Sequence, residues 1–126
     1  MSIGTELLPP ELGQQNKMER EIALPYPAVL QVIDLLEALG VFLLGWELIA
    51  IHPDGGMGHY NVDGIRGIEG ITLPATNDDW REAVRRSADL HRFSISEEWR
   101  LRDTSPPQPG VELIFNLAGT RRPGAA

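Results

Sequence analysis

A chain of 126 residues, 42% of them hydrophobic, is the size of one domain and has enough apolar side chains for a packed core. Its net charge of −7 argues against binding to nucleic acid, and suits either plain solubility or a basic protein partner. The absence of cysteine excludes disulfides and fits a reducing cytoplasm. No signal-peptide pattern is visible, and Glu47 interrupts the longest apolar run, 41–51, so we expect a cytoplasmic protein without a membrane segment.

Polar composition at both ends predicts one domain between two loosely held segments. Residues 1–20 are expected to be a loosely ordered N-terminal arm, 21–118 a single α+β domain, and 119–126 a flexible C-terminal tail. The first helix is predicted to begin at Pro27, since proline suits the first turn, and to be capped by Gly40.

Polar residues in this first helix lie three apart, as Gln31, Asp34 and Glu37, and form one narrow stripe. The rest of its circumference is almost entirely apolar. A helix of this kind is either central in the fold or in contact with a second subunit.

Residues 41–52 are apolar in both alternating phases, which predicts a central strand covered on both faces, with a candidate bulge at Gly45. A turn at 53–56 and a short strand around 58–62 predict a hairpin. The glycine-rich stretch that follows is expected to be irregular, apart from one short extended piece at 71–73.

The stretch 79–92 predicts a second helix, because Asp79 and Glu82 have the spacing of a capping box. Alternating residues in 93–102 predict a strand with one wet face, and 111–117 its hairpin partner. The order is therefore αββαββ. It predicts an α+β fold, a single domain with a mostly antiparallel four-stranded sheet and two helices packed on one face.

One cluster of potential ligands stands out, at His52, Asp54, His59 and Asp63. A hairpin could bring His52 near His59 across its strands, but the glycines and proline of this segment already explain it as a turn. No glycine pattern matches a phosphate-binding fingerprint. We therefore expect no cofactor, no metal and no enzymatic activity.

Three further polar residues have competing interpretations. Glu47 either faces water at a strand edge or is buried with an arginine such as Arg100 or Arg102. His91 and Ser87 share the inward face of the second helix, where a packed histidine and a small residue beneath the sheet explain them better than a catalytic pair.

The segments VLQVIDLLEALGVFLLGWELI and WREAVRRSADLHRF resemble a family of small immunity proteins from bacterial polymorphic toxin systems. In that family a helix of the form VIELLxxLG runs into a strand that begins LGG-acidic, and a helix with the pattern W-x-x-x-[aromatic or aliphatic]-x-x-S follows. Here Trp46 replaces the second glycine, and the family's later aromatic segment is reduced to His59-Tyr60-Asn61. The matching positions, all within about residues 26–92, are Ile33, Leu36, Leu39, Gly40, Leu44, Gly45, Glu47, Trp80, Val84 and Ser87.

The resemblance implies a non-enzymatic protein that binds a cognate toxin domain and occludes its active site. Exposed carboxylates would steer the approach and an aromatic side chain would anchor it. Two alternatives stay open: a homo-oligomeric structural or regulatory module, and a small metal-dependent enzyme. A homodimer is compatible with toxin binding. The expected partner-binding residues are Trp46, Glu47, Asp54, His59, Tyr60, Asp63, Glu69, Asp78 and Asp79.

Overall fold

Antiparallel strands form a single sheet in the computed structural model, which describes residues 3–62 and 64–123. In spatial order the strands are β1 (Ile22–Leu24), β5 (Glu112–Thr120), β2 (Phe42–Ile51) and β3 (Met57–His59), with β4 (Gly67–Ile68) also paired to β2. The α-helices are α1 (Pro10–Gly13), α2 (Ala28–Ala38) and α3 (Trp80–Thr104). The α+β class and the antiparallel sheet are confirmed, whereas the αββαββ order and the four strands are wrong.

Helix α2 corresponds to the predicted first helix. It begins after Pro27, and Gly40 follows its end with a left-handed φ of 76°, as a helix-ending glycine requires. Its apolar side chains pack under the sheet and beside α3, so the fold itself covers most of them. The suggestion that α2 needs a second subunit therefore loses its main reason.

Strand β2 is central, as predicted, but its helix-free face is covered only in part, since Glu47 there is 38% exposed. Trp46 and Leu48 lie in the main core on the side of the helices, whereas Ile49 packs with Ile114 in a smaller cluster on the opposite face. The pairing with β5 shifts register between Leu43 and Gly45, which confirms the bulge.

Residues 93–102 continue α3 instead of forming a strand, and this is the largest error of the sequence-based prediction. Phe93 and Leu101, assigned to a buried strand face, are exposed, while Ile95 is buried. No glycine or proline interrupts 80–104, and the charged residues there favour helix. β5 consequently pairs with β2 and β1, not with a neighbouring hairpin arm.

The N-terminal segment, expected as a loosely ordered arm, lies against the sheet. Leu12 is buried in the main core, and the amide of Ile3 donates to the carbonyl of Gly119. Asn16 accepts a hydrogen bond from the amide of Ala23 at 2.6 Å through Oδ1, so this segment covers the outer edge of β1.

Two further boundaries differ from the prediction. β5 runs to Thr120, past the expected domain end at 118, and residues 124–126 of the expected tail lie outside the described residues. Residues 71–73, where a short extended piece is predicted, form no strand, and the short strand lies earlier, at Gly67–Ile68. Within the described residues no helix is long and apolar enough to cross a membrane.

Candidate functional site

The hairpin between β2 and β3 keeps its two histidines apart. The amide of His52 donates to Gly56, whereas His59 pairs with Ile49 farther along the strand. The hairpin therefore does not bring the two histidines together. Asp54 stabilises the turn, because its Oδ1 accepts a hydrogen bond from the Gly56 amide at 2.9 Å. Over residues 3–62 and 64–123, no three or more histidine, aspartate or glutamate side chains form a group able to hold a metal ion.

Glu47 lies on the central strand but on the face of the sheet that carries no helix. It is paired with Asn116 of β5 on one side and with Gly67 of β4 on the other. Its side chain is 38% exposed, and Oε2 lies 3.5 Å from Nδ1 of His59. Glu47 is thus neither at a strand edge nor buried against an arginine. Arg102, one of its expected partners, instead pairs with Glu98.

A shallow acidic surface surrounds Glu47, and we call it the acidic face. Two depressions of about 240 and 260 Å³ adjoin there, and both are lined by Glu47, Ile68 and Glu69. Gly45 and Gly67 leave this part of the sheet without side-chain cover, because each brings its backbone against the opposite strand. The polar residues of the acidic face are Glu21, Glu47, His59, Glu69 and Asn116.

The acidic face is poor in compensating cations. In the part of the chain that the structure describes, no ion pair involves the side chain of Glu21 or Glu69, and Glu47 is paired only with a histidine. Three carboxylates around one depression produce a negative potential that favours a cationic group from outside.

The structure therefore unites Glu47, His59 and Glu69 of the expected partner-binding residues and places the others elsewhere. Trp46 is only 3% exposed and its Nε1 donates to Ser94 Oγ at 2.8 Å, so it is unavailable as an anchor. Tyr60 is half-buried, with the guanidinium of Arg102 5.4 Å from its ring centre.

Two more of the expected carboxylates, Asp78 and Asp79, lie at the start of α3. Asp79 caps the helix, since its Oδ1 accepts from the amide of Glu82, and Asp78 accepts from the amide of Ala75. Each of the two aspartates stabilises the local structure through its hydrogen bond, and this role explains its presence. Asp63 lies outside the described residues.

No protein family, curated protein or solved structure matches this chain. The positions that carry the resemblance to immunity proteins can nevertheless be placed. Most are structural: Trp80 Nε1 donates to the carbonyl of Gly40, and Ser87 Oγ donates to the carbonyl of Leu43 at 2.6 Å. Glu47 differs from these, because its side chain is partly exposed on the acidic face.

An ion network that the sequence did not reveal connects α3 with Arg66, and none of its residues lines the depressions beside Glu47. Glu98 and Arg102 of α3 are 4% and 7% exposed, and Glu98 Oε1 accepts from Nε of Arg66 at 2.8 Å. Arg102 Nε lies 2.9 Å from Glu98 Oε2 without hydrogen-bond alignment, so that attraction is mainly coulombic. The network joins α3 to the segment that precedes β4. In the sequence Glu98 and Arg102 are four residues apart, but this spacing indicates an ion pair only if residues 93–102 are helical.

His91 is fully buried on the inner side of α3, as the sequence predicted for a packed histidine. Its Nδ1 donates to the carbonyl of Ser87 at 2.8 Å, and Nε2 has no hydrogen-bond partner within the described residues. Burial lowers the pKa of His91 below 6.5, and contacts with the backbone of Ser87 and Gly45 oppose this only in part. The imidazole is therefore neutral in the folded protein.

We expect His91 to make the protein less stable in mild acid. Because the unfolded chain takes up a proton at a higher pH than the folded one, its contribution is complete above pH 6.5 and falls as the pH drops below that value. Urea unfolding across this range should show the loss, and His91→Asn, which keeps a donor for Ser87, should remove that part of the slope. His52→Asn, at an exposed site, should retain it. Equal slopes in both variants would contradict the assignment.

Proposed function

We propose that this chain is a non-enzymatic, immunity-type protein that binds a basic toxin domain through its acidic face and occludes the toxin's active site. One observation carries the proposal. Glu47, the acidic position of the family-like motif, lies on the helix-free side of the sheet beside Glu69, in a depression that the other described residues leave open.

The charge distribution supports a cationic partner. The chain carries a net charge of −7, and the carboxylates of Glu21 and Glu69 form no ion pair with any described residue, so a partner's lysine or arginine would meet them without breaking an internal salt bridge. Such a surface accelerates association and makes binding weaker at high salt.

A metal-dependent enzyme has less support from the same geometry. Its proposed ligands were His52, Asp54 and His59, but hairpin pairing separates the histidines and Asp54 hydrogen-bonds to its own turn. A rigid sheet face with half-exposed carboxylates suits occlusion of another protein better than chemistry on a bound substrate.

Charge reversal on the acidic face should weaken toxin binding. We expect Glu47→Lys or Glu69→Lys to raise the Kd for the toxin domain encoded beside this gene by roughly tenfold or more, because each places like charges together at the contact. Asp103→Lys is the matched control: it changes the net charge equally, at an exposed position on α3. Isothermal titration calorimetry measures all three. An equal loss in the control would assign the effect to net charge and not to the acidic face.

A further inference from the structure

The outward side of α3 carries an apolar stripe that no other part of the described chain covers. Leu90, Phe93 and Leu101 are 44%, 67% and 38% exposed. With about 100° of rotation per residue, these three side chains, Arg86 and Glu97 fall within an arc of about 80°. Ile95, which is fully buried, lies on the opposite side of the helix. We call these five residues the α3 stripe.

The α3 stripe and the acidic face lie on opposite sides of the sheet, and residues 65–68 separate them, since Ile65, Gly67 and Ile68 border both the groove beside Phe93 and the depression beside Glu47. α3 packs on the side of the sheet that holds the main core, whereas Glu47 projects from the other side. A groove of about 500 Å³ beside Phe93 and Leu101 is lined by Ile65, which is itself exposed, and this extends the apolar patch beyond the helix. Large apolar side chains grouped in this way on a protein with 23% charged residues mark an interaction surface.

We infer that the α3 stripe binds a second copy of this chain, with the two α3 helices antiparallel about a twofold axis between residues 91 and 92. In that register Leu90 meets Phe93 of the second copy, and Arg86 meets Glu97 of the second copy. The twofold axis repeats both contacts, as an isologous interface requires. Four apolar side chains then form the centre, and two opposite-charge pairs flank it, with Arg86 and Glu97 about 16 Å apart along each helix.

The charges of the α3 stripe favour this occupant over an unrelated protein. Arg86 forms no ion pair within the described residues, and Glu97 has only the exposed i,i+3 pair with Arg100 on its own helix. The same stripe thus supplies a cation and an anion at mirrored positions around its apolar centre. An unrelated protein would not in general carry an anion and a cation at the matching positions, whereas a second copy of this chain carries both.

Sedimentation equilibrium of the purified full chain tests the dimer. We expect a mass of twice 13.9 kDa at high concentration, and monomer for Phe93→Glu, which places four carboxylates at the centre and flanks of the contact. Arg86→Glu alone and Glu97→Arg alone should each weaken the dimer by about tenfold or more, because each sets like charges against one another. The double variant Arg86→Glu with Glu97→Arg should restore the wild-type dimer constant to within about threefold, since the pairs are re-formed with opposite sense.

Arg81→Glu, an exposed reversal outside the α3 stripe, is the control and should leave the dimer unchanged. Circular dichroism establishes that each variant is folded. A monomer at every concentration would overturn the proposal, and so would a dimer that survives Phe93→Glu or a double variant that fails to recover. Loss of toxin binding in folded Phe93→Glu, without any change in mass, would instead assign the α3 stripe to the toxin and would also overturn it.

Discussion

Replacing Glu98 by glutamine should lower the free energy of unfolding by about 3–5 kcal/mol, because it leaves a buried guanidinium without its anion. Glu98 and Arg102 are 4% and 7% exposed, and Arg66 shares the same carboxylate. The amide can still accept one hydrogen bond, but it carries no charge to balance two cations. Urea unfolding monitored by tryptophan fluorescence measures the loss.

Glu112→Gln on β5 is the control, because it lies outside the α3 stripe. Its ion pair with Lys17, at 3.6 Å, joins two side chains that are both well exposed. Exposed pairs contribute little, so we expect a change of at most about 0.5 kcal/mol. A second variant, Glu98→Leu with Arg102→Met, should recover much of the loss because it removes both buried charges together. Similar effects of Glu98→Gln and Glu112→Gln would show that burial of an ion pair does not decide how much it contributes to stability.

A methyl group at Gly45 or Gly67 should detach β4 from the sheet. The Cβ of an alanine at Gly45 would lie 2.3 Å from the carbonyl oxygen of Ile68, and one at Gly67 would lie 2.3 Å from the carbonyl oxygen of Trp46. Both obstacles are backbone atoms, which cannot rotate away. We expect either alanine variant to destabilise the protein by about 3 kcal/mol, at the upper end of the range for overpacking.

Gly58→Ala provides the comparison, because nothing lies within 4 Å of its Cβ position and it occupies the exposed strand β3. Its effect should stay within about 0.5 kcal/mol. Hydrogen exchange adds a local readout: the amide of Leu48, which donates to the carbonyl of Arg66, should lose protection in Gly45→Ala and keep it in Gly58→Ala. Retained protection in Gly45→Ala would contradict the proposed detachment.

Periodicity and turn residues predicted the parts of the fold whose structure is determined locally. Helix α2 shows a continuous 3.6-residue pattern bounded by Pro27 and Gly40, and β2 is apolar in both phases, so both were predicted close to their observed bounds. β1 was missed because three residues after a polar segment give no periodic signal. The second half of α3 was wrongly predicted as a strand. In a short, charged stretch, alternation of apolar and polar residues is compatible with the period of a strand or of a helix, and only the burial of the side chains decides between them.

The candidate site could be predicted only in part, and for a related reason. Glu47 was singled out because a carboxylate in an apolar strand requires an explanation. Its proximity to Glu69 depends on the pairing of β4 with β2, a long-range contact formed by only two residues. The role of Trp46 was predicted wrongly because an aromatic residue on a central strand can project to either face, and the bulge at Gly45 affects which face it takes.

Protection of cells against a toxin encoded by a neighbouring gene, which the proposal requires, tests the central claim most directly. Growth would be measured in cells that express the toxin domain together with wild-type chain, with Glu47→Lys/Glu69→Lys, or with the control Asp103→Lys. The proposal predicts growth with the wild type and with the control, and loss of protection with the double variant although it is folded and equally abundant. No protection by wild-type chain, or full protection by the double variant, would contradict binding through the acidic face.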